Sequence, residues 1–172
     1  MATLHHNISG ELTQELLAPG DGYKVSKISL TNIQKVSKCK VDLYIEKKLT
    51  GKFYLLKEVE LPIGATLIYD NVKFNNAIKE FGLYIKLTDG ATFTLTGAID
   101  PTGTNTAVPG SGTAFLSELS IGDEILVTGE TRVINAITSD TAATVSAAWG
   151  SDLANDTTPD CNPTALVDVI IN

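Results

Sequence analysis

Apolar and polar residues alternate with period two through much of the first hundred positions. Val41, Leu43 and Ile45 alternate with Lys40, Asp42, Tyr44 and Glu46. Leu83, Ile85 and Leu87 alternate with Tyr84, Lys86 and Thr88, and Phe93 and Leu95 with Thr92, Thr94 and Thr96. Side chains two apart share one face of a strand, so each run predicts one buried and one wetted face, as in antiparallel sheets. Pro19-Gly20-Asp21-Gly22, Thr50-Gly51, Pro62-Ile63-Gly64 and Asp89-Gly90 break the runs with turn-forming residues. Strands are predicted over 9–17, 23–32, 40–47, 52–61, 66–72, 82–88 and 91–99. Two segments also fit a helix: Ile8, Leu12 and Leu16 share a helical face, and 74–81 fits a turn carrying Phe74, Ile78 and Phe81 inward.

Residues 100–112, Asp-Pro-Thr-Gly-Thr-Asn-Thr-Ala-Val-Pro-Gly-Ser-Gly, offer little apolar surface and read as a linker. Beyond it, strand patterns resume at Ile125–Val127, Arg132–Ile137 and Leu166–Ile171. The turns are Gly129-Glu130 and Ser139-Asp140, and Ala143, Val145, Ala147 and Trp149 alternate with polar or small residues. The expected organisation is all-β: an antiparallel β-sandwich over 1–99, a linker over 100–112, and a small SH3-sized, barrel-like domain over 113–172. Phe115 and Trp149 are expected in the core of the second domain. Charge divides the chain in the same region: residues 1–97 carry twelve lysines against ten acids, and 98–172 carry Arg132 against ten acids.

No apolar run approaches the roughly 18 residues of a membrane span, and Met1-Ala2-Thr3-Leu4-His5-His6 lacks a secretory signal. The protein is therefore expected to stay on the cytosolic side, with Cys39 and Cys161 as free thiols rather than a disulfide. Catalytic chemistry finds little footing. His5 and His6, the only histidines, point to opposite strand faces and chelate one metal poorly. Asp123-Glu124, Asp152, Asp156 and Asp160 lie in or beside turns, without the sugar-binding aromatics a glycosidase needs. Asp152, Asn155, Asp156 and Asp160 supply oxygen ligands for calcium, but at no EF-hand spacing. Gly103, Gly110 and Gly112 precede no Gly-Lys-Ser/Thr sequence, so no nucleotide is implied. Lys24, Lys27, Lys35, Lys38, Lys40, Lys47, Lys48 and Lys52 are interleaved with acids and read as solvated strand faces, not a nucleic-acid patch. No catalytic, cofactor-binding or metal-binding residue is assigned, and neither nucleic acid nor membrane is expected as a partner.

Leu17-Ala18-Pro19, Gly22, Lys24-Val25, Ile28-Ser29-Leu30-Thr31-Asn32, Asp42-Leu43-Tyr44-Ile45, Tyr54-Leu55-Leu56 and Pro62-Ile63-Gly64-Ala65-Thr66-Leu67 follow one another in a recognisable order. This part, about 8–96, resembles a small β-sandwich of tailed-bacteriophage virion structural proteins. Gly112-Thr113-Ala114-Phe115, Leu119, Gly122-Asp123-Glu124-Ile125, Gly129-Glu130-Thr131, Ile137-Thr138-Ser139-Asp140, Thr144-Val145 and Trp149 are similar to a β-domain of phage tail, fibre and head-decorating proteins. The resemblance implies a non-enzymatic virion component assembled in the host cytoplasm, either a head decoration (cement) protein or a neck, tail or fibre accessory. Its partners would be the major capsid, neck or tail proteins, and it would act as a homo-oligomer, in the first instance a trimer. The first module is expected to dock and the acidic one to face outward. The rival expectation is a receptor- or carbohydrate-binding module using Tyr44, Tyr54, Tyr69 and Tyr84 on wetted strand faces.

Overall fold

The computed structural model describes residues 3–47, 51–77, 79–150 and 159–172. The chain is all-β, with three antiparallel sheets and one short helix among the described residues. It divides into two compact units. Unit 1 comprises 1–34, 38–89 and 165–172, and unit 2 comprises 35–37 and 90–164. Unit 2 is thus largely an insertion in the sequence of unit 1.

Unit 1 begins with β1 (Leu4–Ser9), β2 (Gln14–Leu17), β3 (Lys24–Asn32), β4 (Cys39–Lys47), β5 (Gly51–Leu61), β6 (Thr66–Asn75) and β7 (Phe81–Thr88). Unit 2 contributes β8 (Phe93–Thr94), β9 (Ala98–Ile99), β10 (Ala107–Ser111), α1 (Phe115–Glu118), β11 (Glu124–Val127), β12 (Glu130–Ser139), β13 (Ala142–Val145) and β14 (Asp160–Asn162). The final strand, β15 (Leu166–Ile171), returns to unit 1.

Unit 1 has two four-stranded sheets, ordered β1-β15-β3-β6 and β2-β7-β4-β5. The period-two pattern does what it predicts. Ile28 and Leu30 from the first sheet and Val41, Leu43, Leu83, Ile85 and Leu87 from the second are completely buried in one shared core. Val167, Val169 and Ile171 of β15 join them, because β15 lies between β1 and β3. The turn at Pro62–Ala65 is fastened by buried Asn32, whose N–H donates to the Ala65 carbonyl at 3.0 Å and whose carbonyl accepts from Gly64 N–H at 3.1 Å. Asn32 Nδ2 also donates to the Leu61 carbonyl at 3.0 Å. Asn32 and Pro62-Ile63-Gly64 therefore form one hydrogen-bonded corner.

Several expectations are corrected here. The 9–17 segment is two strands with a break at 10–13, not a helix. Phe74 belongs to β6 and Phe81 to β7, so the 74–81 helical turn does not form at either end, and Ile78 lies outside the described residues, as does Thr50 of the Thr50-Gly51 turn. The 91–99 strand is broken at Gly97, whose φ is 80°; a methyl there would come within 2.6 Å of the Ser111–Gly112 backbone.

The sheet of unit 2 is ordered β8-β14-β11-β12-β13-β10-β9. Register shifts at Ile134/Ala136 and Ile137/Ser139 interrupt β12, and such bulges bend a strand. Both halves of the sheet supply one core of Leu95, Ile99, Val108, Phe115, Leu119, Ile125, Ile134, Val145, Trp149 and Cys161. The expected barrel does not close: β8 and β9 are the two ends of an open order, each two residues long. Residues 100–112 are not solely a linker either, since β10 pairs with both β9 and β13. Phe115 and Trp149 are buried as expected, but Ala147 is exposed because β13 ends at Val145.

Candidate functional site

The outer face of the β2-β7-β4-β5 sheet concentrates the unusual surface chemistry of unit 1. Tyr44 on β4 pairs with Tyr84 on β7 and with Tyr54 on β5, so cross-strand register sets three tyrosines in one row. The Tyr44 ring stacks on Tyr84 at 5.8 Å between centroids and tilts against Tyr54 at 5.5 Å. Ammonium groups cover two of the rings, Lys52 Nζ 4.4 Å from the Tyr44 centroid and Lys57 Nζ 4.5 Å from that of Tyr54.

Hydrogen bonds fix the row from both sides. Lys52 Nζ donates to the Tyr44 hydroxyl at 3.1 Å, and Tyr84 donates to Glu15 Oε2 at 2.9 Å. The Lys52 ammonium is held above its ordinary pKa, chiefly by the bond to Tyr44. The Tyr84 phenol is pushed up to about 12, first by desolvation and then by the Glu15 carboxylate. Tyr84 is therefore a neutral phenol, and Lys52 a cationic ammonium, at neutral pH. Under this cover Tyr44 is 1% exposed, whereas Tyr54 remains 43% exposed.

β5 reaches this geometry through two register shifts against β4. Glu58 takes a φ of 51°, and its N–H donates to Asp42 Oδ1 at 2.7 Å. Asp42, which alternation places on the wetted face, is thereby committed to holding a bulge. On the opposite side of β5, Phe53 pairs with Ile45 and is 54% exposed, its ring meeting Phe81 edge-on at 5.9 Å. Phe53 and Tyr54, adjacent in sequence, offer aromatic surface on both faces of one edge strand. Alternation alone places Phe53 with the core residues; that β5 overshoots the core is invisible without the paired strands.

Of the four tyrosines singled out by sequence, the structure brings together Tyr44, Tyr54 and Tyr84. Tyr69 is on β6 in the other sheet, half-buried against the core. His5 points outward and His6 toward the core side of β1, with His6 below the ordinary histidine pKa through desolvation first and His5 second. Asp123 is fully buried; its Oδ2 accepts from Ser120 N–H at 2.7 Å and its Oδ1 from Thr164 N–H at 2.9 Å. Asp160 Oδ1 accepts from Thr94 Oγ1 at 2.8 Å, while Asp152, Asn155 and Asp156 lie outside the described residues, as does Lys48. Among the described residues no group of three His, Cys, Asp or Glu side chains is placed to hold a metal ion. Lys38 is paired with Glu60 at 2.8 Å and Lys47 with Glu80 at 3.1 Å. Aromatic and ammonium groups on a sheet can bind and orient a partner. Compared with family models, curated proteins and solved structures, the chain matches none.

Proposed function

We propose that this protein is a non-enzymatic virion structural component of the tailed-phage kind, acting by protein–protein binding as a head decoration or a neck, tail or fibre accessory. Unit 1 is read as a β-sandwich, two four-stranded sheets over one core. The observation that carries a binding role is the pair of exposed aromatics, Phe53 and Tyr54, on a long edge strand beside Lys52 and Lys57. Aromatic residues anchor protein interfaces out of proportion to their number. Unit 1 carries eleven lysines and eleven acids, against two cations and nine acids in unit 2. A balanced surface docks without net repulsion, which supports unit 1 as the docking part and the acidic unit as the outward one. The test is Phe53→Asp, with folding checked by circular dichroism and incorporation measured on particles lacking the protein. Loss of incorporation by a folded variant supports the reading; undiminished incorporation removes this surface from it. Copy number per particle then separates head decoration, with hundreds of copies, from a neck or tail position.

A second reading, carbohydrate or receptor binding, is favoured by the Tyr84–Tyr44–Tyr54 row. Against it, Lys52 and Lys57 already occupy the ring faces on which a sugar would stack. Phe53→Asp separates the two, since Phe53 lies outside the tyrosine row: it removes incorporation in the first reading and leaves glycan binding intact in the second.

A further inference from the structure

A sheet edge is a template for another strand unless something interrupts it. Unit 1 has four edges, and three are interrupted. β6 bulges at Asn71, whose φ is 57°, between Asp70 and Lys73. β5 bulges at Lys57-Glu58. β2 is four residues long and shifts register between Glu15 and Leu17. β1 differs from all of them. It pairs with β15 in unbroken register, has no residue of positive φ, and contains no Asp, Glu, Lys or Arg.

One hydrogen bond fixes which backbone groups β1 leaves at its edge. Gly10 N–H donates to the Ala165 carbonyl at 2.9 Å, which sets the even-numbered residues of this register toward β15. Antiparallel alternation then turns the N–H and C=O of His5, Asn7 and Ser9 outward. The Ser9 carbonyl accepts from Gln14 Nε2 at 3.3 Å. Among the described residues, the outward backbone groups of His5 and Asn7 have no such partner.

The strand is also palindromic in side-chain type about His6: Thr3 corresponds to Ser9, Leu4 to Ile8, and His5 to Asn7. We propose that β1 is a self-association edge, to which a second copy adds its own β1 antiparallel across a two-fold axis at His6. In that register His5 of each copy faces Asn7 of the other, so the outward N–H and C=O groups of both residues are all satisfied. Leu4 meets Ile8 on the core side, and Thr3 meets Ser9 on the outer side. Sliding by two residues instead sets Leu4 against Gly10 and His6 against Ile8, or, in the other direction, Leu4 against His6. Polar and apolar matching therefore selects one register.

His6 supplies an independent reason for a partner. Its Nε2 is buried and has no hydrogen-bond partner among the described residues. At the centre of the pairing, two neutral imidazoles meet, and one can donate to the acceptor nitrogen of the other. A depression of about 340 Å³, lined by His5, His6, Asn7, Asp168, Val169 and Ile170, runs along the same two strands and leaves room for side chains of a second copy. A two-fold contact sets the strand against its own copy, and with no Asp, Glu, Lys or Arg in β1 no such charge is brought against its like. This contact is two-fold, in place of the three-fold association implied by the phage resemblance, and does not depend on the virion reading.

Sedimentation velocity of the full chain over a range of concentrations tests it. A monomer–dimer equilibrium is expected, and Asn7→Pro, which removes an outward N–H and leaves the β15 side intact, should weaken dimerisation by at least about tenfold. His6→Cys should cross-link two copies on mild oxidation far better than His5→Cys or Asn7→Cys, because only position 6 meets itself. A monomer at every concentration, a trimer, a dimer indifferent to Asn7→Pro, or equal cross-linking at the three positions overturns the proposal. If Asn7→Pro fails to fold, the cysteine comparison decides alone. A pure chain that stays monomeric but takes up a strand of a different protein at β1 also overturns it.

Discussion

The carboxylate of Asp89 accepts a 2.6 Å hydrogen bond from the backbone N–H of Ala165, 76 residues along the chain. Asp89 N–H in turn donates to Glu11 Oε1 at 3.0 Å. One residue before Ala165, Thr164 N–H donates to Asp123 within unit 2. Each unit thus secures its own side of the last passage of the chain from one to the other. Asp89→Ala should lower the stability of unit 1 by about 1–3 kcal/mol, the cost of a lost hydrogen bond to a charged group, with Asp89→Asn milder because its amide oxygen still accepts. Urea unfolding of the two variants checks this, and equal midpoints for both and the parent would refute it.

Because Asp89 and Ala165 are neighbours in space, the sequence between them is dispensable for unit 1, whereas β15 is not. Replacing 90–164 by a short Gly/Ser linker should leave a folded unit 1. A chain ending at residue 99 should fail to fold that unit, since it lacks the strand between β1 and β3. Amide NMR dispersion of the two proteins reads the difference; a folded 1–99 fragment would contradict the strand order.

Trp149 is 2% exposed and lies under the Arg132 guanidinium, 5.3 Å from its ring centroid. Arg132 Nη2 donates to Glu130 Oε2 at 2.8 Å, and its Nε donates to the Ala148 carbonyl at 3.0 Å, pinning the segment that carries the tryptophan. Trp149→Ala should cost unit 2 about 3–5 kcal/mol. Arg132→Lys should cost less but be measurable, because an ammonium cannot reproduce the forked geometry. Thermal unfolding followed by near-ultraviolet circular dichroism distinguishes them, and a parent-like melt for Trp149→Ala would remove the residue from the core.

Both cysteines are buried and free. The Cys39 thiol is pushed up to about 11, mainly by desolvation and secondly by the Asp89 charge; burial, then Asp123 and Glu118, also raise Cys161. Neither should react with a thiol reagent at pH 8 until denaturant is added, when two thiols per chain should appear. The folded Cys39 pKa lies above its ordinary 9.0, so its contribution to stability is full below 9 and is lost as pH rises through about 11. His6 has the opposite sign: its depressed pKa contributes stability above 6.5 that is lost as pH falls through the folded value. Urea midpoints across pH should fall at both ends, and a midpoint level from pH 9 to 11 would count against the Cys39 assignment.

Strand alternation was legible because it is local: β4 and β7 nearly match their predicted limits, and their inward residues are the core. The place of β15 was not, because a hydrophobic run such as Leu166–Ile171 says that it is buried and nothing about beside which strand. The charge change near residue 98 marked a real difference in composition but not a unit boundary; these fall at Gln34/Lys35, Ser37/Lys38, Asp89/Gly90 and Thr164/Ala165. At the candidate site, alternation placed Tyr44 and Tyr84 on one face, yet the row depends on register with β5, set by two bulges. The burial of Tyr44 follows from its neighbours, Lys52 above all, and no period in the sequence encodes that.

The position of β15 also orders events during synthesis. All strands of unit 2 have been made by residue 162, while the first sheet of unit 1 still lacks an interior member. The inserted unit can therefore reach its native packing while the earlier ninety residues wait with β1 unpaired. Leu4 and Ile171, the outermost pair of the β1–β15 ladder, are then among the last to meet, across nearly the whole length of the chain.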